Sequence, residues 1–183
     1  MTTVEKKYTE LVKTPSDINE HLIVLRYYAD QCHHITELGV RKGVSTWAFL
    51  ASMAEKVVSV DVNHPEEYGG SLKEMKEAAF EEDTDFEFLL ANDMDIFLEE
   101  TDMIFFDTLH TYNQLKKELA LHAVRSRKYL VFHDTISYKD KGIDGGEGIR
   151  KAIDEFLEEH EEWMVHEVYN NNNGLMILQR CTQ

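Results

Sequence analysis

The stretch ITELGVRKGVST (Ile35–Thr46) joins a run of β-strand character to a helical one. It places two glycines, Gly39 and Gly43, around Val40, Arg41 and Lys42. A glycine directly after a strand lets the backbone turn sharply and come close to a ligand. The second lets the following helix pack near that strand. Ser45 and Thr46 are suited to cap that helix, whose free N–H groups can receive a carboxylate or a phosphate. The flanks agree with this reading. His34 to Leu38 reads as a strand, Val44 to Glu55 as a helix, and Lys56 to Asp61 (KVVSVD) as a buried strand.

The same alternation runs outward through the chain. Met1 to Pro15 is polar, with Pro15 blocking helix continuity. Asp17 and Glu20 form the pattern of a capping box, and Ile18, Leu22, Leu25 and Ala29 recur at helical spacing. This predicts a helix over Ser16 to Asp30. Ser71 with Glu74 starts another helix, and Thr111 starts a third. Ile149, Ala152, Ile153, Phe156 and Leu157 mark the last. Between them lie strands at Asp85 to Leu90, Asp102 to Asp107 and Lys128 to His133. Two final strands, Trp163 to Tyr169 and Leu175 to Arg180, flank the asparagine-rich turn NNNNG (Asn170–Gly174). Strands alternating with helices predict an α/β fold, a Rossmann-like three-layer α/β/α sandwich. Its seven-stranded sheet is mostly parallel and ends in an antiparallel hairpin. We read residues 1–183 as one domain, with a helical segment over 1–31 and a cofactor-binding core over 32–183. The glycine-rich Lys141 to Gly148 reads as a mobile loop after the fifth strand.

The bulk numbers narrow the function. The 183 residues carry a formal net charge of −16. Such a surface repels phosphate backbones and anionic membranes, so neither nucleic acid nor membrane is an expected partner. The two cysteines, Cys32 and Cys181, lack metal-ligand spacing and suit a reducing compartment. With no leader-like or membrane-spanning run, the expected location is the cytoplasm. A homo-oligomer is compatible with all of this.

In an open α/β sheet, ligands bind beyond the carboxyl ends of the strands, where the Gly39–Gly43 loop lies. Asp61 follows Gly39 by roughly 20 residues, at the end of the next strand, where an acid accepts hydrogen bonds from ribose hydroxyls. Together they indicate an adenosine-bearing cofactor. A dinucleotide fingerprint requires a glycine where this chain has Arg41, which counts against NAD.

At these residues the chain resembles the class I S-adenosylmethionine-dependent methyltransferases. Glu37-x-Gly39-x-x-x-Gly43-x-Ser45 is similar to their first motif. The stretches VVSVDVN, DMIFFDTLHTY, YLVFHDT and GIRKAIDEFLEEHEEW resemble the branch with cephalosporin-hydroxylase-like and macrolide or aminocoumarin sugar O-methyltransferases. The resemblance implies methyl transfer from S-adenosylmethionine to a hydroxyl of a small-molecule acceptor. It implies that Gly39 and Gly43 touch the methionine end of the cofactor, with Glu37 nearby, and that Asp93 and Met94 meet the adenine. Relatives also place Mg²⁺ at the ends of the fourth and fifth strands, which implies Asp107 and Asp134 as metal ligands. One departure stands out. Relatives commonly read Asp-Gly-Asp-His after the fourth strand, with the second acid as proton acceptor. This chain reads Asp107-Thr108-Leu109-His110, which leaves His110 beside Asp107 as the candidate base. A non-catalytic cofactor-binding protein and an NAD-dependent oxidoreductase are the competing readings. An iron hydroxylase would need two histidines and a carboxylate in a placement the sequence does not offer.

Overall fold

Alternating side chains sort each strand of the sheet onto two faces, and both faces are covered. The computed structural model describes residues 1–181. Its strands are β1 (His34–Leu38), β2 (Lys56–Asp61), β3 (Asp85–Leu90), β4 (Thr101–Phe106), β5 (Ser126–His133), β6 (Trp163–Tyr169) and β7 (Leu175–Arg180). They form one sheet in the order β3-β2-β1-β4-β5-β7-β6. The first five run parallel, and β7 pairs antiparallel with both β5 and β6.

The helices are α1 (Thr3–Lys13), α2 (Leu22–Ala29), α3 (Val44–Leu50), α4 (Leu72–Glu81), α5 (Tyr112–His122) and α6 (Ile149–Glu159). On one face, Ile35, Val57, Met103 and Phe105 pack with Leu22, Phe49 and Met75 from α2, α3 and α4. On the other, Leu38, Ile104, Phe106 and Phe132 pack with Leu115, Ile153 and Phe156 from α5 and α6. The central β4 is buried along its whole length. This is the expected three-layer arrangement. The strand order reverses between β1 and β4, so the loops leaving their carboxyl ends diverge and leave a crevice.

Several local expectations are corrected. Met1 to Pro15 contains α1, opened by Thr2, whose hydroxyl accepts from the Glu5 N–H. Only Val4 and Tyr8 of this helix are fully buried, too sparse a stripe to see in sequence. Asp17 and Glu20 form no capping box. The Ser16 hydroxyl accepts from the Ile18 and Asn19 N–H groups, and α2 begins only at Leu22. α3 stops at Leu50 instead of Glu55. β4 runs one residue earlier than read, and β5 begins at Ser126. Lys141 to Gly148 is tied down as a wall. Ile143 N donates to the His110 carbonyl, Tyr112 N to that of Glu147, and Gly148 N to that of Asp140. Among the described residues, no helix is long and apolar enough to cross a membrane.

Candidate functional site

A cavity of about 880 Å³ opens in the crevice beyond the carboxyl ends of the parallel strands. Its size is at the upper end for a small-molecule site, with room for a nucleoside-sized ligand and a second small molecule. Gly39 lines it after β1, Asp61 after β2, Asp93 after β3, Asp107 after β4 and Asp134 after β5. Five sequence-separated positions thus converge because parallel strands deliver all their carboxyl ends to one edge.

The Gly39 loop is held from below and from the side. Asp61 Oδ2 accepts from Val40 N and Arg41 N, both at 2.8 Å, and its Oδ1 accepts from Asn63 N at 2.9 Å. These bonds use one lone pair or two on each oxygen and leave the carboxylate on the cavity wall. Arg41 sits at φ +53°, a left-handed conformation stabilised by the Asp61 bond.

Four of the expected residues lie elsewhere. Glu37 is fully buried behind the loop and does not line the cavity. It accepts hydrogen bonds from Ser45 Oγ (2.5 Å), Thr46 Oγ1 (2.7 Å) and Ser59 Oγ (2.5 Å). Burial pushes its carboxyl up to about 7, against the opposing pull of these three hydroxyls. Ser45 and Thr46 therefore brace Glu37 instead of capping α3, whose N-cap is Gly43. Gly43, at φ +84°, faces the Met75 side chain of α4. Met94 is also absent from the lining, although the neighbouring Asn92 and Asp93 are present.

At the other end, Asp107, His110 and Asp134 meet. His110 Nε2 lies 3.2 Å from Asp107 Oδ1 and 2.9 Å from Asp134 Oδ2. His133 Nδ1 lies 3.2 Å from the same Asp107 oxygen. Burial disfavours charge on His110, but hydrogen bonds to Asp107 and Asp134 outweigh it and raise the ring to about 9. Burial likewise opposes ionisation of Asp107, and the bonds from His110 and His133 override it, holding the carboxyl below the usual range. With no cation between the two acids, this arrangement favours the imidazolium form of His110 at neutral pH; as a metal donor the ring gives up that proton. In the imidazolium form it is a proton donor clasped between Asp107 and Asp134. Tyr138 stacks on the ring at 4.7 Å and 7°, fixing its plane.

The donor set fits a divalent cation. One ligand atom each from Asp107, His110 and Asp134 lie within 4.8 Å of one another. Asp134 Oδ1 is buried and has no hydrogen-bond partner, and Asp134 holds φ +59°. An imidazole among the ligands disfavours Mg²⁺ relative to a transition-metal ion, of which Mn²⁺ is the one best matched to the two carboxylates.

Sequence reasoning did not single out Asp17, Tyr138 or Glu118 for this site. Glu118 is a polar residue in a helix, yet it is fully buried below the cavity. It accepts from Thr108 Oγ1 and Gln114 Nε2, and burial with the neighbouring Asp93 charge pushes it up to about 8. Its spacing from Leu115, Leu119 and His122 puts it on the buried stripe of α5, a signal that its acidic side chain masked. His122 of α5 holds the Asp93 turn by its contact with the Asp93 carbonyl at 3.0 Å.

No family model matches the chain, and a search of curated proteins finds no match. Solved structures do match. A methyltransferase of Podospora anserina bound to SAH shares 14% identity at a TM-score of 0.66, covering 98% of this chain and 88% of that one. An O-methyltransferase of Bacillus cereus in complex with SAH shares 15% at 0.65, covering 98% and 90%. The O-methyltransferase TomG of Streptomyces achromogenes, involved in tomaymycin synthesis and solved with SAM, shares 14% at 0.64, covering 98% and 90%. Along nearly its whole length, the chain has the fold of these methyltransferases.

Proposed function

We propose that the cavity binds S-adenosylmethionine and that the protein transfers its methyl group to a hydroxyl of a small-molecule acceptor. The observation that carries this reading is the charge of the cavity wall. Asp17, Asp61, Asp93, Asp107 and Asp134 face a single Arg or Lys, Arg41. Such a wall favours a ligand with cationic groups, which a sulfonium amino acid has, and disfavours the pyrophosphate of a dinucleotide. Gly39, Asp61 and Asp93 line the cavity after β1, β2 and β3, and in this reading Asp61 takes the ribose hydroxyls and Asp93 the adenine amine. The solved structures that share the fold and carry SAM or SAH support the same choice.

Bound there, the cofactor supplies the activated methyl group. The chain's own residues then position the acceptor and take its proton. Leu109 and Ile143 give the acceptor end an apolar wall, and Tyr138 keeps the His110 ring in plane. Asp107 and Asp134 would hold a divalent cation, with His110 as the third donor. Such a cation lowers the pKa of a coordinated hydroxyl.

Calorimetric titration with S-adenosylmethionine, S-adenosylhomocysteine and NADH tests the cofactor. Binding of the first two without NADH is expected. Heat from NADH alone overturns the proposal. Asp61→Ala is expected to weaken S-adenosylmethionine by about 10- to 100-fold, because charge-assisted hydrogen bonds are lost and the Val40–Arg41 backbone is released. For the metal, EDTA is expected to lower methyl transfer at least ~10-fold, with Mn²⁺ restoring it better than Mg²⁺. A rate indifferent to EDTA and to both ions removes the metal from the reading.

A further inference from the structure

Arg41 and Asp17 form an ion pair at the cavity, Nη1 to Oδ2 at 2.5 Å. Both residues line it. They come from different parts of the chain, Arg41 from the loop after β1 and Asp17 from the segment between α1 and α2. Each backbone is fixed independently of the pair. Arg41 N donates to Asp61. The segment around Asp17 is pinned to the turn between β6 and β7. There Asn172 Nδ2 donates to the Ser16 carbonyl at 2.8 Å, and Asn172 Oδ1 accepts from Glu20 N at 3.0 Å. The pair is therefore not needed to hold either element in place. Its side chains are 66% and 40% exposed, a setting in which an ion pair contributes little stability and exchanges readily.

We propose that Arg41 is the residue that receives the ligand's carboxylate, and that Asp17 occupies its guanidinium until the ligand arrives. This rests on the S-adenosylmethionine reading of the cavity and adds a recognition residue to it. The charged groups of the lining are five acids, Arg41 and His110, and His110 Nε2 is already held between Asp107 and Asp134, which leaves Arg41 as the one Arg or Lys for the carboxylate of an amino-acid ligand. A guanidinium can grip a carboxylate with two parallel N–H donors, and Asp17 is a chemical stand-in for that group. Ligand binding then exchanges one carboxylate for another at Arg41. Because both backbones are pinned, only the Arg41 side chain swings.

The test compares S-adenosylmethionine with decarboxylated S-adenosylmethionine, which keeps the sulfonium and an amine but lacks the carboxylate. Calorimetry on the full chain is run for the wild type, Arg41→Gln and Asp17→Asn. Arg41→Gln is expected to weaken S-adenosylmethionine about 10- to 100-fold and to leave the decarboxylated compound within about 2-fold. Asp17→Asn removes the competitor and is expected to tighten S-adenosylmethionine by about 2- to 5-fold, again without changing the decarboxylated compound. Equal losses for both ligands in Arg41→Gln would overturn the proposal, since the side chain would then act on the loop and not on the carboxylate. So would an unchanged affinity for both. Weaker S-adenosylmethionine binding in Asp17→Asn would show Asp17 to be a ligand contact and not a stand-in. If the wild type binds neither compound, the cofactor reading fails and takes this inference with it. If the wild type binds both and Arg41→Gln changes neither, only the role of Arg41 falls.

Discussion

Gly39→Ala is expected to destabilise the protein by about 2–5 kcal/mol and to abolish cofactor binding at concentrations that saturate the wild type. Two costs add. Gly39 holds φ +87°, where an L side chain costs about 1–2 kcal/mol. A Cβ there would also lie 2.1 Å from the Asp107 carbonyl oxygen and 2.6 Å from its carbon. That neighbour is backbone and cannot rotate aside. Gly39 N donates to the Val60 carbonyl at 2.9 Å, and Asp107 N donates to the Leu38 carbonyl at 2.8 Å, so both strand ends are locked. Relief requires β1 and β4 to separate where the cavity begins. Against a typical stability of about 5–15 kcal/mol, the loss is large. Gly69→Ala is the control. It has a similar φ of +81° but nothing within 4 Å of the added carbon, so it carries the backbone cost alone. Urea unfolding of the two variants separates the terms. Equal midpoints for Gly39→Ala and Gly69→Ala would show that the approach of the two strand ends is not tight.

That contact also shows why some of the site was legible in sequence. Gly39, Asp61, Asp107 and Asp134 each stand directly after a strand whose apolar run is unmistakable. Parallel strands send such residues to one edge whatever the details of packing. β1, β2, β3, β6 and β7 begin and end where the pattern puts them, because buried strands change composition abruptly at their ends. The rest depended on side-chain direction. Glu37 sits beside the loop in sequence, but period two along β1 turns it away from the cavity, to where Ser45, Thr46 and Ser59 all donate to it. The charge state of His110 depends on Asp134, distant in sequence, whose side chain closes on the ring only once β4 and β5 are paired. α1 was invisible because it buries few side chains. Asp17 looked like a helix cap because its true partner, Arg41, lies in another segment.

The buried Glu37 makes stability fall as pH rises from about 4.5 to about 7, by on the order of 3 kcal/mol. In the unfolded chain this carboxyl titrates at its ordinary value, 4.5. In the folded chain, burial raises it to about 7, helped by the Asp107 charge and opposed by the three hydroxyls. Between these values the folded state carries a proton that the unfolded state has lost. The unfolded state therefore binds fewer protons, and stability declines with each step upward in pH. Below 4.5 both states are protonated and above 7 both are ionised, so the contribution is flat outside the window. The net charge of −16 adds a decline of its own through self-repulsion, so the wild-type curve alone does not isolate Glu37. Glu37→Gln does. Its amide keeps the shape, accepts from two hydroxyls through oxygen and donates to the third, with no charge to bury. Urea unfolding at pH 5 and pH 8 is expected to show a drop smaller in Glu37→Gln than in the wild type by that same ~3 kcal/mol. The variant therefore compares more favourably with the wild type at pH 8 than at pH 5. Parallel curves for the two proteins would mean that Glu37 titrates alike folded and unfolded. The three hydroxyls would then offset the whole cost of burying it as an anion.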